Sequence, residues 1–299
     1  MDGARSVLDV DPGGAVERVL VVYNPHSSGD SQALAERLRE ELAGRRPELP
    51  VRLQATQHAG QGREIARAVT DAGTVVVSAS GDGGYHDVVN GLMDAGSVGV
   101  LAAVLAAGNA NDHRRATGRR PLVEAIIAGD VSRLDLMRVT YGEQVEYAHS
   151  YVGWGLTPLV AMGLESGGKG TLRELVTAVR TFWRFHPFTI RRDQRVERFD
   201  SILCATIDQM AKYATLSTGS RPDYGRFEVI VIPHVPKWRI AATVLRAATR
   251  GLPPQPSVSS YRFTTVDPLP MQIDGELREL GAGDTVLVEI APRALATLR

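Results

Sequence analysis

Residues 74–91 read TVVVSASGDGGYHDVVNG and form the most informative stretch of the 299-residue chain. The run at 74–78, in which the first four residues are β-branched, predicts a buried strand. Gly81, Gly83 and Gly84 follow it and open a segment with helical spacing of its apolar residues. Glycines let the backbone approach a ligand, and amides at a helix N-terminus favour anions. The stretch therefore predicts a phosphate-binding loop, with a tight turn as the alternative.

Asp82 lies among these glycines, and its carboxylate would repel a bound anion unless a cation is bound together with that anion. Mg²⁺ bound to nucleotide phosphates would satisfy both groups, because oxygen ligands suit that ion. The alternative is an aspartate that caps the following helix. The residues alone thus favour a magnesium–nucleotide site over a site for a bare anion.

Strands and helices alternate around this loop, with short connections between them. Strands are predicted at 19–23, 51–55, 74–78 and 98–104, and helices at 31–43, 62–72 and 85–95. This order predicts a mostly parallel sheet covered by helices, with ligands beyond the carboxyl ends of its strands. We therefore predict a nucleotide-binding α/β domain at 18–135, after a flexible leader at 1–17.

The pattern changes after about residue 135. Short apolar runs separated by Pro, Gly and Asp turns predict antiparallel strands over 136–284, with helices inserted at 172–185 and 237–250. Such strands are typical of a β-sandwich. The predicted fold class is therefore α/β plus β, an α/β domain followed by an antiparallel sandwich.

Three other loops carry polar residues that could bind a ligand. Gly108, Asn109, Asn111 and Asp112 follow the strand at 98–104, and such amides and carboxylates suit ribose hydroxyls or metal-bound water. Helix capping explains one of these residues but not the group. The remaining loops are a turn at 24–29, with Asn24, Pro25 and Ser28, and the segment at 271–276, where Asp274 and Glu276 flank a glycine that predicts a turn.

Composition excludes several classes of protein. Lys plus Arg and Asp plus Glu both number 34, so no basic excess points to nucleic acid. A single cysteine, Cys204, excludes a disulfide framework and a cysteine-based zinc site, and we expect it to be buried. The longest apolar stretch, 98–107, is half the ~20 residues that a spanning helix needs. Because the acidic N-terminus does not look like a signal peptide, we expect a cytoplasmic protein.

Standard nucleotide motifs are not matched. The segment at 81–86 lacks the third glycine of GxGxxG, and the segment at 163–170 resembles a P-loop but has Gly170 where Ser or Thr must hold magnesium. We therefore predict that the segment at 163–170 does not bind phosphate.

Taken together, the four loops resemble the diacylglycerol kinase catalytic family, which includes bacterial lipid kinases and sphingosine kinases and is related to the NAD kinases. The family patterns Asn-Pro-x-Ser/Ala-Gly, Gly-Gly-Asp-Gly-Thr, Gly-Thr-x-Asn-Asp and Asp-Gly-Glu correspond to 24–29, 80–84, 108–112 and 274–276. Their order and spacing agree over nearly the whole chain, which makes the combined resemblance specific.

The resemblance implies an ATP-dependent lipid kinase, with ATP and acceptor meeting between the two domains. It implies that about 285–299 return to the first domain, and it suits phospholipid metabolism at the inner face of the membrane. The resemblance does not decide whether the chain forms a homodimer. The implied phosphate- and nucleotide-binding residues are Asn24, Pro25, Ser28, Ser80, Gly81, Asp82, Gly83, Gly84, Gly108, Asn109, Asn111 and Asp112.

The resemblance also implies catalytic roles. Asp82 and Asp112 would organise Mg²⁺, and Asp274 would take the proton of the acceptor hydroxyl, supported by Glu276. Asp82 is the rival base. The acceptor would be diacylglycerol-like rather than a sphingoid base, because the position that holds the sphingoid amine falls near the neutral Leu159.

Three departures from the family pattern keep alternatives open. Ser80 replaces a glycine, while Gly84 and Asn109 replace threonines, so two hydroxyls that contact phosphate are missing. A kinase of a soluble hydroxyl compound and a nucleotide-binding regulator without catalysis are the alternatives. An apolar acceptor cleft or a sandwich core would account for a set of large side chains: Trp154, Leu159, Met162, Phe182, Trp183 and Phe185.

Overall fold

The computed structural model describes residues 16–27, 29–108, 111–117, 120–156, 186–207, 209–210, 214–215 and 223–298. The helices are α1 (Ser31–Arg45), α2 (Gln61–Arg67), α3 (Asp82–Ala95), α4 (Asp112–Thr117), α5 (Leu122–Ala128) and α6 (Lys237–Thr249). The strands of the first part of the chain are β1 (Arg18–Tyr23), β2 (Val51–Ala55), β3 (Thr74–Ser80) and β4 (Leu101–Ala106). Those of the second part are β5 (Val131–Tyr141), β6 (Gln144–Ala148), β7 (Tyr151–Gly155), β8 (Phe188–Arg192), β9 (Arg195–Ala205), β10 (Gln209–Met210), β11 (Ala214–Thr215), β12 (Phe227–Pro233), β13 (Ser257–Val258), β14 (Ser260–Thr265), β15 (Leu269–Ile273), β16 (Glu276–Leu280) and β17 (Thr285–Leu298).

The first four strands form a parallel sheet in the order β2, β1, β3, β4. Every residue of the central strand β3 is buried. Alternate side chains of the strands point to opposite faces, as the period of a strand requires. Val19 and Val75 pack toward α1 and α5, while Leu20 and Val76 pack toward α2 and α3. The sheet is therefore covered by helices on both faces, as predicted.

The second part of the chain is antiparallel. Its strands enclose a separate core in which Trp154 and Phe263 meet edge to face, with ring centroids 5.1 Å apart. The predicted fold class is thus confirmed. Trp154 is fully buried in this core and does not line a cleft, whereas the other five large side chains considered with it, like the segment at 163–170, lie outside the described residues.

Strand β17 connects the two parts. It pairs antiparallel with β5 over most of its length, and near its end Thr297 pairs with Ala102 of β4 in parallel. The Thr297 hydroxyl also donates a hydrogen bond of 2.7 Å to the Ala102 carbonyl. The last residues of the chain therefore extend the first sheet.

One of the apolar runs that predict antiparallel strands, at 145–152, is divided between two strands. The apolar run at 145–152 forms the end of β6 and the start of β7, separated by His149 and Ser150. The backbone amides of these two residues donate hydrogen bonds to the buried carboxylate of Asp274, which is why the run is not continuous. Among the described residues, no helix combines the length and apolar character that crossing a bilayer requires.

Candidate functional site

A cleft of about 420 Å³ opens at the carboxyl ends of β1 and β3, where the sequence predicted a ligand. The β1 end contributes Asn24, the β3 end contributes Ser78 and Ser80, and α3 contributes Gly83 and Gly84. Its other described lining residues are Val22, Tyr23, His26, Thr56, Gln57, His58, Ala59, Gly60, Gly62, Asp87 and Glu276. The cleft is large enough for a nucleotide.

Close glycine contacts fix the loops beside this cleft. A Cβ atom on Gly29 would lie 1.8 Å from the Ala107 carbonyl oxygen, and one on Gly108 would lie 2.4 Å from the Cα of Gly81. Backbone atoms cannot yield at these distances, so only glycine fits. Gly81 and Gly108 therefore hold the loops against each other and do not line the cleft.

Gly83 faces Glu276, which arrives from the far end of the chain. A Cβ atom on Gly83 would lie 2.4 Å from Glu276 Oε1. The carboxylate of Glu276 therefore reaches over the first turn of α3 and forms one wall of the cleft. This contact brings the predicted glycine loop and the Asp-Gly-Glu segment together.

Ser80 and Gly84, two of the three departures from the family pattern, are in direct contact. A Cβ atom on Gly84 would lie 2.6 Å from both Cβ and Oγ of Ser80. The Ser80 side chain therefore occupies the space that a threonine at position 84 would need. Its hydroxyl lies 2.6 Å from the Ser78 hydroxyl, and both serines line the cleft. The Ser80 hydroxyl therefore lies close to the position at which a side chain of residue 84 would begin.

Asp82 begins α3 and caps the start of α4. Its carboxylate accepts hydrogen bonds from the amides of Asp112 (3.1 Å) and His113 (3.3 Å). Burial raises the pKa of the Asp82 carboxyl above its ordinary value, against an opposing effect of His149. Asp82 is only half-buried and keeps capacity to accept a further proton or hydrogen bond.

Asp112 and Asn111 have different surroundings from those predicted. The Asp112 carboxylate is buried and forms an ion pair with Arg115. Asn111, at φ 51°, binds Gly108 through both ends of its amide, with distances of 2.5 and 3.1 Å. Neither residue lines the cleft, so both shape the loop before α4. Asn24 does line the cleft and accepts a hydrogen bond from the His26 amide, whereas Ser28 and Asn109 lie outside the described residues.

Asp274 and Gly275 form the two-residue turn between β15 and β16. Their φ angles of 49° and 101° suit such a hairpin turn. The Asp274 side chain is fully buried, and its carboxylate accepts bonds from the amides of His149, Ser150 and Tyr151 at 2.9, 2.9 and 3.0 Å. A fourth bond, 3.2 Å long, comes from Nδ1 of His86. All four acceptor positions are therefore used inside the protein.

His86 links Asp274 to a second buried carboxylate, Glu146. Nε2 of His86 lies 3.0 Å from Glu146, which also accepts two bonds of 2.8 Å from Arg278 and one from Tyr141. Burial alone lowers the pKa of His86, but the two carboxylates outweigh it and raise the pKa to about 9. His86 is therefore an imidazolium at neutral pH, and the cluster joins α3 to the antiparallel strands. No role was predicted from the sequence for His86, Glu146 or Arg278, and only the unusual His86 after the glycine loop could have signalled this cluster.

The electrostatics of the cleft favour a metal-bound anion over a bare one. Asp87 and Glu276 are its two carboxylates, and the described lining residues include no lysine or arginine. Burial raises the pKa of Asp87, and Glu276 raises it further, although His86 opposes both. A polyphosphate beside these carboxylates would need a cation to be stable. Among the described residues, no group of three or more His, Cys, Asp or Glu side chains is arranged to hold a metal ion.

Comparison with known proteins shows a family and a fold to which this chain is similar. Residues 18–139 match the diacylglycerol kinase catalytic domain family, which confirms the resemblance predicted from the sequence. A solved diacylglycerol kinase structure from Bacillus anthracis str. Sterne is 18% identical, with a TM-score of 0.69 over 94% of this chain and 96% of that one. A structure of a proposed diacylglycerol kinase from the same organism is 17% identical, with a TM-score of 0.68 and the same coverage. No curated protein gives a significant match. The structural likeness extends the shared fold over nearly the whole chain.

Proposed function

We propose, from the diacylglycerol kinase catalytic domain at residues 18–139, that this protein is an ATP-dependent kinase that phosphorylates a lipid hydroxyl. The observation that carries the proposal is the meeting of the glycine loop with Glu276 across a nucleotide-sized cleft. The acceptor is diacylglycerol-like in this proposal. Residues 18–135 would then bind the nucleotide, and 136–284 would hold the acceptor.

The nucleotide phosphates would lie against the first turn of α3. There Gly83 and Gly84 line the cleft at the N-terminus of the helix, where backbone amides favour an anion, and Ser78 and Ser80 supply hydroxyls. Asn24 would contact the same phosphates from the end of β1. A magnesium ion bound to them would neutralise charge during phosphoryl transfer, and Glu276 and Asp87 are the cleft carboxylates that would face it.

The base in this proposal is Asp82, which the family resemblance left as the alternative to Asp274. Asp274 has its four acceptor positions filled and no exposed surface, so it could act as the base only after leaving its partners. Asp82 is half-buried and has a raised pKa, and a base with a pKa nearer neutrality accepts a proton more effectively. Asp274 would instead position Glu276 and the loop at 149–151.

Phosphate transfer from labelled ATP provides the direct test. The whole protein is incubated with Mg²⁺–ATP and, separately, with diacylglycerol, sphingosine and NAD in matched detergent. We expect label in the organic phase with diacylglycerol, and loss of that label when the metal is chelated. Label in NAD would favour the kinase of a soluble hydroxyl compound. Nucleotide binding without transfer to any acceptor, including a total lipid extract, would favour the regulatory alternative and contradict the proposal.

Exchanging residues 80 and 84 tests whether Ser80 replaces the missing threonine. Ser80→Gly should lower turnover roughly 10- to 100-fold, because one hydrogen bond to a charged phosphate is lost. Gly84→Thr alone should also be impaired, because its Cβ would meet Ser80 at 2.6 Å. The double variant removes the collision and restores a hydroxyl, so it should recover to within a few-fold of wild type.

Steady-state kinetics with varied ATP would measure this coupling, since contacting side chains give non-additive effects. Ser97→Gly, which removes a serine hydroxyl bonded to Val69 away from the cleft, serves as a control. A double variant no better than the worse single variant would show that the two positions do not compensate.

A further inference from the structure

Helix α6 exposes an unusual set of side chains. Trp238 and Leu245 are 66% and 64% exposed, and they are seven residues apart, so they lie on the same side of the helix. Ile240, two residues after Trp238, is 2% exposed and packs inward. The helix therefore rests on the protein through one side and presents a large aromatic and a large aliphatic side chain on another.

The charge of this segment has one sign. Residues 237–250 contain three arginines, Arg239, Arg246 and Arg250, and one lysine, with no acidic residue. All three arginines are exposed, and Arg239 lies over the Trp238 ring at 5.2 Å. None of the three forms an ion pair among the described residues. An exposed apolar stripe flanked by cations is typical of a helix that lies in the interface of a membrane.

Helix α6 is linked to the segment that binds Asp82 through a chain of contacting elements. It contacts β11, which pairs with β10, and β10 contacts α4. The first amides of α4 bind the Asp82 carboxylate. A short path of contacting elements therefore leads from α6 to the proposed base.

We propose that α6 is the membrane-contact element of this protein and that its partner is the surface of a bilayer rich in anionic lipid. Trp238 and Leu245 would enter the boundary between headgroups and acyl chains, because an indole ring favours that region. Arg239, Arg246 and Arg250 would meet lipid phosphates. The purpose of this contact rests on the proposed lipid kinase function, but the contact itself does not require turnover.

Vesicle co-sedimentation of the whole protein tests the proposal without any kinase reaction. One set of vesicles is neutral phosphatidylcholine. The other contains roughly 30 mol% phosphatidylglycerol in addition, because anionic lipid attracts basic helices. We expect binding to the anionic vesicles that weakens as salt is raised. Arg239→Gln/Arg246→Gln should lower the affinity roughly 30-fold, and Trp238→Ser/Leu245→Ser should lower it by at least as much.

A matched control comes from the β8–β9 hairpin. Arg195→Gln/Val196→Ser changes one exposed cation and one apolar side chain that is 59% exposed, and it should bind vesicles like wild type. Unfolding temperatures of all variants should agree within a few degrees, because the substituted side chains are exposed. Activity toward a short-chain acceptor dissolved without vesicles should also be unchanged in the α6 variants.

Several results would overturn the proposal. The first is wild-type protein that binds no vesicles or binds neutral and anionic vesicles equally. The second is α6 variants that bind vesicles like wild type. The third is a dimer in solution that Trp238→Ser/Leu245→Ser converts to a monomer. The last result would assign the face to a second copy of the chain. Vesicle binding through α6 without phosphate transfer to any acceptor would support this proposal while contradicting the proposed function.

Discussion

Gly83→Val is expected to abolish nucleotide binding while the protein remains folded. The valine Cβ would lie 2.4 Å from Glu276 Oε1, and its methyl groups would extend into the space assigned to the phosphates. Because Oε1 is the end of a flexible side chain, Glu276 can move aside and the fold is preserved. We expect at least roughly 100-fold weaker binding of Mg²⁺–ATP, because contacts to a charged ligand from both the α3 amides and Glu276 are disturbed.

Calorimetric titration with Mg²⁺–ATP would measure this loss, beside a thermal unfolding curve. Gly44→Val is the matched control, since Gly44 also lies in a helix and a Cβ atom there meets nothing within 4 Å. It should bind nucleotide normally and remain at least as stable as wild type, because valine is a better helix former than glycine. Normal affinity in folded Gly83→Val would show that the phosphates do not lie against α3.

The second large effect separates the roles of Asp82 and Asp274. Asp82→Asn should lower single-turnover phosphate transfer by roughly 10²- to 10⁴-fold, because a positioned base is lost. Its fold should survive, since an amide oxygen can keep one of the two bonds from the start of α4. Mg²⁺–ATP affinity should change much less than the rate, because the base acts in the transition state.

Asp274→Asn should instead act on stability. The asparagine would place an NH₂ group against backbone N–H donors and leave the His86 imidazolium with one carboxylate in place of two. Breaking a buried charge pair costs roughly 3–5 kcal/mol, so the unfolding temperature should fall clearly. Nucleotide affinity should fall as well, because Glu276 is positioned by the same turn.

Asp130→Asn serves as the control for both variants, because it removes an exposed aspartate that pairs with the exposed Arg120. Its effect on stability and turnover should be small. If Asp274→Asn keeps the wild-type unfolding temperature and ATP affinity but loses transfer, Asp274 is the base that the family resemblance implied. In that case Asp82 would be left with the phosphates and the metal.

Local patterns along the chain were sufficient to predict the architecture of the first sheet and the position of the cleft. Strand β3 is entirely apolar or small, the glycines follow it at once, and the helical period begins directly after them. These are local properties of the chain, so periodicity and glycine content reveal them. The Asp-Gly turn is equally local, since few residue pairs accept its backbone angles.

The surroundings of individual side chains depend on contacts between distant segments of the chain. His86 and Asp274 are 188 positions apart, and no local pattern indicates that one fills the acceptor positions of the other. In the sequence, Ser80 and Gly84 are two separate departures from the family pattern. In the structure, the Ser80 side chain occupies the space that a side chain at residue 84 would need. From the sequence, Trp154 is equally compatible with a cleft and with a core. Its contact with Phe263 assigns it to the core. Burial and hydrogen bonding depend on atoms that distant segments bring together, whereas strands, turns and helix starts depend on neighbours along the chain.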